Sequence, residues 1–154
     1  TLSLFGHPNA KEILEKAKAA LTNPDKRERF EFMEAALADD PEIRTAYFES
    51  FKSPQNREKE SWVQTAASFI HHPIQQDEGI KTLALSLELL EEIQRTGDIF
   101  FPKRWLDATV GQYSSKQAYD LVLTYFEANP NLSPNLKNKV LQASDKLYKR
   151  NRLD

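Results

Sequence analysis

The chain contains three histidines, His7, His71 and His72, and no cysteine. A zinc peptidase site typically carries two histidines one helical turn apart with a glutamate beside them, so that both imidazoles point from one face of a helix. His71 and His72 are adjacent, so on a helix their side chains point about 100° apart and they do not form such a pair. Their place before Pro73 predicts instead the end of a helix, where histidine complements the helix dipole. The sequence therefore predicts no metal site and no catalytic residue, and the lack of cysteine excludes thiol catalysis and disulfide bonds.

Paired carboxylates are a second arrangement that could carry out acid–base chemistry. Asp39-Asp40 precedes Pro41 at a predicted helix start, and Glu91-Glu92 lies on the polar face of a predicted helix. Helix capping and solvation account for both pairs. The glycines are isolated along the chain, so a glycine-rich phosphate-binding loop is excluded as well.

The C-terminal part of the chain is locally basic. Its cations are Lys137, Lys139, Lys146, Lys149, Arg150 and Arg152. They end near the negative pole of a predicted helix, where positive charge is stabilised, and few aromatic residues lie between them to stack on bases. We therefore expect a solvated face or a domain contact here, and no nucleic-acid partner.

Two segments have the composition of an interface. Residues 56–62 bring an arginine and a tryptophan to a helix start, and residues 96–105 combine aromatic, basic and proline residues. Trp, Arg and Phe dominate desolvated contacts between proteins. The candidate contact residues are Arg57, Trp62, Arg104 and Trp105. The alternative is that the aromatic residues fix the turn between two helices and contribute only to folding.

The elements that position these residues are predicted to be helices. Proline follows a capping-type residue at Asn23-Pro24, Asp40-Pro41, Ser53-Pro54 and Ser133-Pro134. Such pairs mark helix starts, because proline at the first helical position gives up no intrahelical hydrogen bond. Between these marks apolar residues recur at helical spacing, which predicts about eight helices and no paired strands.

The most apolar segment, residues 80–93, is predicted to be a central helix. Arg95 fits its last turn, and Gly97 is expected to take the left-handed conformation just beyond it. Pro102 can open the next helix. The sequence leaves two alternatives for residues 99–101, an extended segment or a helical turn. The spacing of helix starts is close to half the period of helical-pair repeats, which favours stacked antiparallel pairs in an armadillo- or HEAT-like superhelix. An irregular helical bundle is the alternative.

Composition sets the remaining limits. Of the 154 residues, 40% are hydrophobic, which is enough for one core, so residues 1–154 are predicted to form a single helical domain. The net charge of −2, with both signs mixed, gives no field that would attract nucleic acid or a membrane. No apolar stretch approaches the roughly 20 residues needed to span a bilayer. Because the chain begins at Thr1 rather than methionine, we expect it to be part of a longer polypeptide; nothing in it indicates a compartment.

Short segments spread over about two thirds of the chain form a recognisable set. They are Asn56-Arg57 with Trp62, His71-His72-Pro73, residues 92–102 (Glu-Ile-Gln-Arg-Thr-Gly-Asp-Ile-Phe-Phe-Pro) with Trp105, and residues 139–147 (Lys-Val-Leu-Gln-Ala-Ser-Asp-Lys-Leu). This set resembles the C-terminal helical domain of the M1 family of zinc aminopeptidases. The Thr-Gly-Asp-Ile-Phe-Phe-Pro stretch is its most specific part.

The resemblance implies an all-helical domain without chemistry of its own. Such a domain follows the metallopeptidase domain of a longer enzyme, encloses the active-site cavity and restricts access to short peptides. Zinc and the catalytic residues would belong to the parent enzyme, and the implied partners are its catalytic domain and peptide substrates. No role in the family is carried over to Arg57, Trp62, Arg104 or Trp105, which are candidates on physical grounds alone. The competing hypothesis is an independent helical-repeat module that binds a peptide or a protein in its groove.

Overall fold

Side-chain caps open the helices at three of the four predicted prolines, Pro24, Pro41 and Pro134. In the computed structural model, which describes residues 6–152, the Asn23 side chain accepts hydrogen bonds from the backbone N–H groups of Asp25 and Lys26, at 2.9 and 3.2 Å. Asp40 and Ser133 cap the helices that follow them in the same way. These caps satisfy N–H groups that have no partner within the helix, so the start of each helix is fixed locally.

The described residues are all-helical, which confirms the predicted fold class, and the number of helices is close to the prediction. The α-helices are α1 (Ala10–Ala19), α2 (Pro24–Glu34), α3 (Pro41–Glu49), α4 (Glu60–Ile70), α5 (Gln76–Gly79), α6 (Leu83–Glu88), α7 (Leu90–Thr96), α8 (Phe101–Ala108), α9 (Lys116–Ala128), α10 (Pro134–Ala143) and α11 (Asp145–Asn151). Short 3₁₀ turns lie at residues 35–37, 50–52, 54–57, 73–75, 80–82 and 110–112. Between residues 6 and 152 no helix combines the length and the apolar character needed to cross a bilayer.

The helices pack in two rows. In the first row α2, α4, α8 and α10 contact one another in that order. The second row runs from α3 through the 80–82 turn and α6 to α9 and α11. Successive helices thus mostly alternate between the rows, as they do in stacked helical pairs. The largest buried hydrophobic side chains of the core are Phe48, Phe51, Leu83, Leu87, Leu90, Ile93, Phe101, Trp105, Leu106, Tyr113 and Leu147.

The central apolar segment is interrupted where the sequence predicts one continuous helix. Residues 80–82 form a 3₁₀ turn, and α6 and α7 meet at Leu89. Leu89 nevertheless keeps a right-handed helical conformation: its N–H donates to Leu85 O at 3.1 Å, and its carbonyl accepts from Ile93 N at 2.9 Å. The interruption at Leu89 is therefore local, and α6 and α7 follow one another directly along the chain.

Gly97 does not take the left-handed conformation predicted for it. Its φ and ψ are −92° and 177°, so the chain leaves α7 in an extended conformation. A Cβ atom at this position would lie 2.8 Å from both Ile93 O and the Phe101 side chain, so close packing explains the glycine. A turn at residues 99–100 follows, and α8 begins at Phe101 with Pro102 in its first turn.

Candidate functional site

His71 follows the last residue of α4, as predicted for the His71-His72 pair, and it is fully buried. Its Nδ1 lies 2.7 Å from Tyr113 Oη and its Nε2 lies 3.5 Å from Thr82 Oγ1. Because the Thr82 hydroxyl donates its proton to Gly79 O at 3.1 Å, it accepts from His71 Nε2–H, and the Tyr113 hydroxyl donates to Nδ1. Burial lowers the pKa of His71 to about 3, so the ring is neutral near pH 7. His71 therefore links α4 to two other segments and belongs to the scaffold.

His72 has a different environment from its neighbour. Its Nδ1 accepts a hydrogen bond from Ile74 N at 3.2 Å and so caps the 73–75 turn. The two imidazoles thus serve separate local tasks. Within the part of the chain that the structure describes, no group of three His, Asp or Glu side chains is placed to hold a metal ion.

Arg57 is buried, and its guanidinium contacts two parts of the domain. Nη1 donates to Phe51 O, and Nη2 lies 2.9 Å from Glu92 Oε2. The second contact is an ion pair by distance, without the alignment of a hydrogen bond. The Phe51 carbonyl belongs to the 3₁₀ turn after α3, where backbone acceptors run out of helical partners. Arg57 satisfies that carbonyl, and Glu92, which the sequence places on a solvated face, is partly buried against it.

Arg44 performs the same task at the preceding helix end, and sequence reasoning missed it. Its Nη1 donates to Ala38 O and Asp39 O, just beyond the 35–37 turn. Arg44 and Arg57 each stand three residues after a proline. Arg27 also stands three residues after a proline but is exposed and pairs with Glu31, so the Pro-x-x-Arg spacing alone does not identify a cap of the preceding helix end.

Replacing Arg57 by methionine should lower the free energy of unfolding by about 2–3 kcal/mol. The change leaves the Phe51 carbonyl without its donor and Glu92 without its counter-charge. Glu92 keeps 30% of its side chain exposed, so the loss stays below that of a fully buried broken pair. Urea denaturation measures this loss of stability. Arg29→Met, at an exposed position of α2, is the matched control. Equal stability losses in the two variants would contradict a capping role for Arg57.

Trp105 is fully buried in the core. Its indole Nε1 donates to Ser86 O at 2.8 Å, and its ring stacks on Phe48 with 5.3 Å between the ring centroids. The whole side chain is thus used within the domain. This placement agrees with the interpretation that the aromatic residues of segment 96–105 fix the connection between helices.

Trp62 and Arg104 lie nearer the surface. Trp62 is half-buried and packs edge-on against Phe32, with Lys59 Nζ 4.0 Å from the centroid of the indole ring. Arg104 is exposed, and its guanidinium carbon lies 5.7 Å from the centroid of the Phe100 ring. The structure thus separates the four predicted contact residues: Arg57 and Trp105 are buried, Trp62 is half-buried, and Arg104 is exposed.

The 98–100 loop, Asp98-Ile99-Phe100, presents apolar side chains on a fixed backbone. Asp98 N donates to Glu60 Oε1 at 2.8 Å, and Asp98 Oδ1 accepts from Phe100 N at 2.6 Å. Phe101, the next residue, is buried in the core. Because the loop is held on both sides, Ile99 and Phe100 stay at the surface.

A cleft of about 500 Å³ adjoins this loop. Its lining includes Gly97 and Phe101, which flank the loop, together with Pro54, Glu58 and Glu60. The cleft is open and largely polar, so it suits a ridge on another protein surface better than an enclosed small substrate.

A smaller groove of about 270 Å³ lies between α1 and the connection from α2 to α3. Leu14, Leu37 and Ile43 give it apolar walls, and Glu15 and Asp39 add carboxylates. Its volume is below the roughly 300–1,000 Å³ of small-molecule sites, so it fits one or two side chains.

Comparison with known protein families, with curated proteins and with solved structures finds no match to this chain. Function has to be inferred from the residues and their arrangement.

Proposed function

We propose that this chain is a non-catalytic helical domain of a zinc-dependent aminopeptidase of the M1 family, placed after the catalytic domain of the same polypeptide. In this role it encloses the active-site cavity and restricts access to short peptides. The parent enzyme removes N-terminal residues from peptides with its own zinc ion. A rigid helical enclosure suits this task, because excluding water from a peptidase site strengthens the electrostatic interactions there.

The way in which the family-like segments meet is the observation that best supports this proposal. Arg57 of the first segment pairs with Glu92 of the third. His71 of the second segment contacts Phe48, on which Trp105 of the third segment stacks. Segments that are distant in the sequence thus share one interior. The buried members of these segments, among them Arg57, His71 and Trp105, therefore favour a shared domain fold, as expected for a domain without its own chemistry.

The alternative function is a free-standing helical-repeat module that binds a peptide or a protein. The apolar groove beside α1 is the feature that favours it. An extended peptide needs a run of side-chain pockets, whereas this groove of about 270 Å³ accepts one or two side chains. The aminopeptidase domain is therefore the better supported of the two functions.

The sequence that precedes Thr1 in the full-length protein tests the proposal. We expect a His-Glu-x-x-His motif there, and we expect the purified full-length protein to contain zinc and to hydrolyse aminoacyl reporter substrates. The 154-residue chain itself should neither hold zinc tightly nor hydrolyse them. Chelation followed by re-addition of zinc to the full-length protein is the control for metal dependence. Zinc-dependent hydrolysis by the 154-residue chain, or a full-length protein without the motif, would overturn the proposal.

A further inference from the structure

The two ends of the helical stack leave different apolar features at the surface. Helices α2 and α3 begin the two rows, and α10 and α11 end them. At the first end, Ile43 is exposed and forms one wall of the groove beside α1. At the other end, α10 buries Leu136 and Val140 and exposes Leu141. The first end therefore has an apolar groove, and the other end has an apolar side chain that protrudes.

The groove and Leu141 match in size. The groove of about 270 Å³ has apolar walls and accepts one or two side chains. Leu141 is the one large hydrophobic side chain among the exposed residues of α10, whose neighbours on the outer face include Lys137 and Asn138. A single protruding leucine is thus a ridge of the size that this groove takes.

The two ends also carry opposite charge. Residues 1–49 contain ten Asp and Glu side chains and seven Lys and Arg side chains. Residues 127–154 contain three acidic side chains and six basic ones. Opposite potentials on two surfaces favour their association and select its register.

Carboxylates dominate the lining of the groove itself. The lining side chains that form no ion pair within residues 6–152 are Lys11, Glu15, Asp39 and Asp40. Glu34 also lines the groove, and Lys18 pairs with it at 2.9 Å. The buried Arg44 is directed at the carbonyls of Ala38 and Asp39. Three carboxylates against one lysine therefore remain for a partner.

Cations dominate the surface around Leu141. Lys137 lies one helical turn before Leu141 on the same face of α10, and Lys146 follows in the first turn of α11. Both side chains are exposed, and neither forms an ion pair within the described part of the chain. The carboxylate of Asp145, between them, is paired with Lys149 at 2.7 Å. This surface therefore complements the rim of the groove.

We propose that copies of this chain associate head to tail. Leu141 of one copy enters the groove between Leu14 and Ile43 of the next copy, and the cations around Leu141 face the carboxylates of the groove. The contact continues the two rows of helices from one copy into the next, as further repeats would. A symmetric contact between two grooves would bring two acidic rims together, which disfavours it. This inference does not depend on the proposed function.

Sedimentation velocity of the 154-residue chain tests the association. At about 50 mM salt the average mass should rise above 17.7 kDa as the protein concentration is raised towards about 1 mM. At about 500 mM salt the apparent dissociation constant should be at least about fivefold larger, because salt screens the attraction between the two ends. A monomer at every concentration overturns the proposal, and an association that salt does not weaken overturns its electrostatic part.

Substitutions on the two surfaces test the contact. Ile43→Asp in the groove and Leu141→Asp on α10 should each raise the dissociation constant at least about tenfold, because each places a charge in the apolar contact. Ile74→Asp is the matched control: Ile74 is 46% exposed, close to the 48% of Ile43, and does not line the groove. Far-UV circular dichroism confirms that each variant is folded. An equal effect of Ile74→Asp would overturn the assignment to the groove.

A mixture of the two variants tests the direction of the contact. The Ile43→Asp chain keeps its Leu141, and the Leu141→Asp chain keeps its groove, so one intact contact can form between them. The mixture should give dimers of one chain of each kind with about the wild-type dissociation constant and no larger species, since a head-to-tail contact joins two different surfaces. A contact between identical surfaces gives no such recovery. A mixture that stays monomeric while wild type associates therefore overturns the head-to-tail arrangement.

Discussion

Replacing Trp105 by alanine should lower the free energy of unfolding by about 3–5 kcal/mol. Trp105 lies in α8, in the first row, while its two main contacts, the Phe48 ring in α3 and Ser86 O in α6, lie in the second row. The substitution leaves a cavity between the rows and removes the donor to a buried carbonyl. Because domains of this kind are stable by roughly 5–15 kcal/mol, the variant should still fold but unfold at much lower urea. Far-UV circular dichroism follows this transition without depending on tryptophan fluorescence.

Trp62→Ala is the matched control, because it removes the same side chain from a half-buried position. Its loss should be about 1–2 kcal/mol, from the edge contact with Phe32 and the cation–π contact with Lys59. The comparison separates a tryptophan of the core from one at the boundary of the domain. Equal losses of stability at the two positions would contradict the placement of Trp105 in the core and of Trp62 at the boundary of the domain.

Segment 96–105 shows where sequence reasoning reaches its limit. Its composition indicates contact residues, yet composition does not decide which aromatic residues face the core. Which aromatic side chains of α8 face the core depends on the residue at which the helix begins, because side-chain directions along a helix follow from that start. The start at Phe101 follows a loop that is held by the bond between Asp98 N and Glu60, 38 residues earlier in the chain. Such a long-range contact leaves no local pattern in the sequence. The burial of Trp105 and the exposure of Phe100 could therefore be seen only in the structure.

Helix starts were predictable because their causes lie within a few residues. The cap at Asn23 and the proline that follows it are visible in the sequence, and the structure places α2 directly after them. Ser53-Pro54 is the exception, since Pro54 opens a 3₁₀ turn in which Arg57 turns back to the end of the preceding helix. Gly97 shows the same limit, because its role comes from packing against Phe101 rather than from a left-handed turn.

Acidification should destabilise the domain through His71. An unfolded histidine has a pKa of about 6.5, whereas burial lowers the pKa of the folded His71 to about 3. Between these values the unfolded state binds more protons than the folded state, so stability is lost as the pH falls. Above pH 6.5 the contribution is constant. Between pH 6.5 and pH 3 we expect a loss of about 4 kcal/mol in the free energy of unfolding, on top of the titration of surface carboxylates.

Comparison of wild type with His71→Gln isolates this contribution, because the carboxylates titrate alike in both proteins. The variant loses the contacts of the buried ring, so it should be less stable than wild type at pH 7. Because glutamine does not titrate, the variant should lose less of its stability between pH 6.5 and 4. His72→Gln, which removes the neighbouring imidazole that caps the 73–75 turn, is the matched control for the loss of a histidine. Parallel curves for wild type and His71→Gln would contradict a buried neutral imidazole. The site favours a neutral histidine because the ring accepts a hydrogen bond from Tyr113 at Nδ1 and donates one to Thr82 at Nε2. Protonation of Nδ1 would place two donors, the Nδ1–H and the Tyr113 hydroxyl, opposite each other.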